Sequence, residues 1–99
     1  MRRLDWSRSA LADLSNQLAY IAQDDPSAAR LVRDRIERAA VQLAEMPTGR
    51  PGRVSDTYEK PVPRTSHVIA YAVTDEMVTV LRVIHMARDW PAGRWPRDD

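Results

Sequence analysis

Met77-Val78-Thr79-Val80-Leu81-Arg82-Val83-Ile84-His85-Met86 is the stretch that decides the fold. β-branched residues recurring at a period of two predict a strand here, the clearest in the chain. Thr74-Asp75-Glu76 is a turn just before it, and His67 to Val73 on the other side of that turn predicts its partner strand. Thr57 to Val62 predicts a third strand. Pro61 and Pro63 put that strand at a sheet edge or a bulge, because proline has no N–H for an interior ladder. The C-terminal half therefore reads as an antiparallel run of three strands.

Moving toward the N-terminus, Met46-Pro47-Thr48-Gly49-Arg50-Pro51-Gly52-Arg53 is a loop rich in chain breakers, and the periodicity changes on its far side. Ala29, Val32, Ile36, Ala39 or Ala40, and Leu43 predict an amphipathic helix over 26–46. Leu11, Leu14, Leu18 and Ile21 predict another over 8–23. Ser7 is the expected N-cap of the first, and Asp25-Pro26 both ends it and opens the second. So tight a link makes the two an antiparallel hairpin. Arg30/Asp34, Arg33/Glu37 and Asp34/Arg38 fall at i,i+4 on the outer face of the second helix, a solvated face with ion pairs of ~0.2–0.5 kcal/mol each. Arg3 to Trp6 supplies a short strand ahead of the hairpin. The expected class is α+β: an N-terminal short strand and an antiparallel helix hairpin packed on a small, mainly antiparallel β-sheet.

Ninety-nine residues hold one core, so residues 1–99 are expected to form a single domain, with 92–99 as a loose tail. The chain has no cysteine, which excludes disulfides, thiolate metal sites and a cysteine nucleophile. No run of 18 apolar residues exists, and the start lacks a signal-peptide pattern, so the expectation is a cytoplasmic protein with no membrane partner. Fifteen cations against 14 anions leave a net charge of +1, little for a small protein that grips nucleic acid. The only local excess is over residues 47–64, with four cations against two anions.

No phosphate loop, nucleophile elbow or metal-spaced cluster is present, so neither a metal nor another cofactor is expected. His85 is the most interesting titratable group. With Arg82, Arg88 and Glu59 nearby in a folded sheet, it could serve as acid or base on a phosphodiester while arginines stabilise developing charge. The plainer and preferred reading from spacing alone is a strand-end histidine with a satisfied hydrogen bond. Trp90 and Trp95 are unusual residues for a tail, and they read as packing onto the sheet or as interface anchors.

Taken in order, these pieces resemble the ParE branch of the RelE/ParE toxin superfamily. The resemblance runs over residues 4–91. It is carried by Trp6-Ser7, Ala12-Asp13-Leu14, Tyr20-Ile21-Ala22, Asp25-Pro26, Ala28-Ala29, Leu43-Ala44, Gly49 to Val54, Thr57-Tyr58-Glu59, Val68 to Tyr71, Leu81 to His85 and Arg88-Asp89-Trp90-Pro91. It implies the helix-hairpin-on-sheet fold and a toxin that poisons DNA gyrase without catalysis. It also implies a cognate antitoxin partner in a hetero-oligomer. The target-facing residues are then expected at Arg50, Arg53, Arg88 and Trp90, and the antitoxin-facing ones among Leu11, Leu14, Leu18, Val78 and Val80. The RelE-like branch implies the alternative, a ribosome-dependent mRNA endonuclease with Glu59, Arg64, Arg82 and His85 as its site. Met86 and Trp90 stand where RelE-like chains often carry an arginine and a tyrosine. That departure, with the single lysine Lys60 and the low net charge, favours the gyrase reading.

Overall fold

Ser7 turns the chain from its first strand into its first helix, its hydroxyl accepting from the Ala10 N–H at 3.0 Å in a side-chain N-cap. The computed structural model describes residues 1–86 and 93–95. The elements are β1 (Arg3–Trp6), α1 (Arg8–Asp24), α2 (Pro26–Glu45), β2 (Arg50–Pro51), β3 (Tyr58–Pro61), β4 (His67–Val73) and β5 (Met77–His85). Asp25 ends α1 and caps α2 through its carboxylate and the Ala28 N–H, with Pro26 in the first helical turn. The two helices lie on one face of a five-stranded sheet of order β1-β5-β4-β3-β2, with β1 parallel to β5 and all other pairs antiparallel. The α+β class and the helix hairpin stand as expected.

Two details differ from the expectation. β3 lies one place in from the edge, because Arg50 and Pro51 pair with Glu59 and Tyr58 as the two-residue strand β2. A pair this short, containing a proline, has no periodicity to read. The i,i+4 ion pairs of α2 also do not form. Arg33 reaches neighbouring Asp34 at 3.5 Å, while Arg30 donates to Ser27. In water, such pairs contribute too little to hold long side chains in one geometry.

The core between the layers is built from Ile36, Ala40 and Leu43 of α2, Ala10 of α1, and Val62, Ile69, Tyr71, Val78, Val80 and Val83 from the sheet side. A bulge gives this core its shape. Tyr71 pairs with Val80 but Ala70 with Arg82, leaving Leu81 unmatched and reversing the alternation of β5 beyond it. Val78, Val80, Val83 and His85 thus face the helices, and Arg82 and Ile84 the opposite side. On that opposite side Trp95 packs against Ala70 and Ile84, one of the two roles that the sequence left open for it. Among the described residues, no helix is long and apolar enough to cross a membrane.

Candidate functional site

The register of the sheet sorts the candidate residues by face. His67 pairs directly with His85, their rings edge-on with centroids 5.2 Å apart. They line a cavity of about 770 Å³ at the sheet end, with Gln17, Tyr20 and Ile21 of α1 and with Arg64 of the β3–β4 turn. Burial, and secondarily the His85 charge, lower the proton affinity of His67. Among the described residues, its buried Nδ1 has no hydrogen-bond partner, nor has Gln17 Oε1.

Glu59, Ala70 and Arg82 form a row across the other face, so Glu59 and His85 are on opposite sides of the sheet. Glu59 is buried. Its Oε2 accepts from the Arg53 N–H at 2.8 Å, and its Oε1 lies 4.0 Å from the Arg50 guanidinium. That carboxylate anchors the loop carrying both arginines. Arg82 is also buried and forms a two-pronged pair with Asp13 of α1, Nε to Oδ2 at 2.7 Å and Nη2 to Oδ1 at 3.0 Å. Asp13 accepts further from the Val83 N–H at 3.0 Å. The four residues of the nuclease alternative are therefore not assembled: Arg64 and His85 share the cavity, whereas Glu59 holds a loop and Arg82 a helix.

The loop over 46–53 is shaped from the sheet. Gly49 donates its N–H to the Tyr71 hydroxyl at 2.7 Å, and a Cβ at Gly49 would run into that hydroxyl and the Glu59 carbonyl. Burial raises the proton affinity limit of the Tyr71 phenol, keeping it a neutral hydroxyl. Arg50 and Arg53 are exposed, and the Arg53 carbonyl accepts from the Gly93 N–H at 2.7 Å. Arg88 and Trp90 lie outside the described residues.

On the helix side, Leu11 and Leu14 border a groove of about 290 Å³ with Leu4, Trp6 and Val41. Leu11 is 52% exposed, and Leu14 and Leu18 are half-buried. Val78 and Val80 correct the expectation. Both are 0% exposed and support the groove from beneath instead of forming a contact surface. Asp13, Gln17 and Tyr71 were given no role of their own from the sequence. The available signal was two polar residues, Asp13 and Gln17, interrupting the α1 stripe that meets the sheet. Among the described residues, no three His, Asp or Glu gather to hold a metal ion.

The pattern of the ParE toxin of type II toxin–antitoxin systems, parDE, matches residues 4–90 of this chain. The chain belongs to the ParE toxin family. Among relatives of this toxin, Y4kP of Sinorhizobium fredii is 40% identical over 91 residues, covering 91% of this chain and 94% of its own. Toxin RelE2 of Caulobacter vibrioides is 38% identical over 89 residues, covering 89% of this chain and 99% of its own. In fold, the toxin is similar to a chain of the chromosomal ParDE toxin–antitoxin system from P. aeruginosa. That match has a TM-score of 0.76 at 24% identity and covers 86% and 96% of the two chains.

Proposed function

We propose that this toxin acts as a gyrase poison in the cytoplasm, a binding protein and not a catalyst, neutralised by direct contact with a cognate antitoxin. The observation that carries this reading is the separation of Glu59 from His85 by the thickness of the sheet, with Arg82 already committed to Asp13. General acid–base cleavage of a phosphodiester needs both partners within hydrogen-bond reach of one bond. The net charge of +1 supports the same reading, since gripping ribosomal RNA draws on a basic excess. The target-facing residues are then Arg50 and Arg53 of the exposed loop, together with Arg88 and Trp90. The antitoxin surface is the apolar strip of Leu11, Leu14 and Leu18. An antitoxin segment ordering on that strip would offset its entropy by burying apolar area.

Expression of the toxin alone tests this. Gyrase-dependent double-strand breaks and an SOS response with intact mRNA are the expected result. Codon-phased mRNA cleavage with undamaged DNA would replace the reading with the endonuclease one, toward which the name of the C. vibrioides relative points. In that case His85→Ala should abolish cleavage.

A further inference from the structure

One cleft is set apart by its charge from the surfaces described so far. Arg35, Arg38 and Gln42 of α2, with Pro63 and Arg64 of the β3–β4 turn, line an open surface cleft of about 270 Å³. Positions 35, 38 and 42 follow i, i+3, i+7 and form one stripe of the helix. Among the described residues, no carboxylate lines the cleft. Asp34 is engaged with Arg33, and Glu37 borders the groove on the β1 side with Leu4 and Trp6. Among the described residues, the ion pairs within 4.0 Å are Arg33–Asp34, Arg50–Glu59 and Arg82–Asp13, so the three cleft arginines have no acidic partner.

The cleft is also held in shape. Arg64 has φ +61°, a left-handed conformation that residues other than glycine seldom adopt. Its carbonyl accepts from Arg35 Nη1 at 3.1 Å, tying the turn to the helix. Backbone held in such regions collects where a ligand is met. Three arginines lining one small opening favour an entering anion, and their planar forks match an oxyanion with several acceptor oxygens. A tetrahedral phosphate can take bonds from three forks at once, whereas a carboxylate has only two oxygens to share.

We propose that this cleft is a phosphate-binding site, the phosphate being that of a nucleic-acid backbone or free phosphate. The site lies in the seam between α2 and the sheet end, away from both the Arg50–Arg53 loop and the Leu11 strip. Arg64 also lines the His67–His85 cavity, so the two openings meet at the β3–β4 turn.

The purified toxin, labelled duplex DNA and inorganic phosphate provide the test. The double variant Arg38→Gln with Arg64→Gly removes two cleft charges, and glycine keeps the left-handed turn. Arg30→Gln with Arg33→Gln removes two charges from α2 outside the cleft. Binding to the duplex, followed by fluorescence anisotropy at low salt, is expected to weaken about tenfold for the cleft variant, with the salt slope lowered by about two. The control variant should change much less. Inorganic phosphate shifting the NMR side-chain signals of Arg38 and Arg64, without any duplex binding, would keep the site and reassign its source to free phosphate. Equal weakening by both variants, or no response to either probe, would overturn the proposal. So would loss of antitoxin binding in the cleft variant with both phosphate probes silent, since the cleft would then be a carboxylate site. Arg38→Gln alone, in the intact turn, repeats the measurement if the double variant unfolds.

Discussion

At the His67–His85 pair, burial decides protonation. His67 is 4% exposed and its proton affinity is lowered, first by desolvation and then by His85. Arg64 borders the same cavity and adds no anion to offset this. The sign follows from linkage. As pH falls below the ordinary histidine value of 6.5, the unfolded chain takes up a proton that folded His67 still resists. The unfolded state binds more protons there, so acidification costs stability, and the full contribution is present only above that value. His67→Phe keeps a ring against His85 and removes the proton. Urea unfolding at about pH 7.5 and about pH 5 should show a smaller loss on acidification in the variant than in the parent. Equal losses would mean that His67 titrates in the fold as it does in the open chain.

At the scale of elements, α1 does the work of a missing strand. β1 covers β5 only from Met77 to Val80, and beyond that point the edge of β5 meets the helix. Ser7 Oγ donates to the Leu81 carbonyl at 2.8 Å, Gln17 Nε2 to the Val83 carbonyl at 2.7 Å, and Asp13 accepts from the Val83 N–H. Polar side chains on the inner face of a helix thus satisfy backbone groups that a strand would otherwise pair. Asp13→Ala removes one of these bonds and the carboxylate facing buried Arg82, so a loss of about 3 kcal/mol is expected. It should appear as a lower urea midpoint at unchanged slope; a change under about 0.5 kcal/mol would place the seam's stability elsewhere. The elements themselves were legible because each obeys a local rule: the period of two in β4 and β5, the i,i+4 leucines of α1, the Asp25-Pro26 junction. β2 was not, being two residues long. Nor was the bulge at Leu81, which sends Arg82 to one face and Val83 to the other. The candidate site inherited that difficulty. Glu59, Arg82 and His85 look like neighbours when strands are laid side by side, and only the register shift and the sheet face separate them.

Across the whole molecule, the two proposed working surfaces are at opposite edges of the sheet. Leu11 adjoins β1 through Leu4 and Trp6, while Arg50 is part of β2. The strand order β1-β5-β4-β3-β2 puts four inter-strand steps between those edges, about 19 Å at ~4.8 Å per step. A side chain at one edge therefore has no direct contact with a partner seated at the other, and the surfaces should fail independently. Leu11→Arg places a charge in the apolar strip without touching the core, since Leu11 is 52% exposed. It is expected to leave growth arrest intact and to weaken rescue by co-expressed antitoxin about tenfold or more, the cost of a desolvated charge in an apolar contact. Arg50→Ala with Arg53→Ala should do the reverse, lowering arrest while antitoxin binding persists, because the Arg53 N–H still reaches Glu59 whatever its side chain. Growth curves with and without antitoxin, alongside affinity measured on the purified pair, read both arms. If each variant lost arrest and antitoxin binding together, with both still folded, the toxin would be using one continuous surface for its target and its antitoxin.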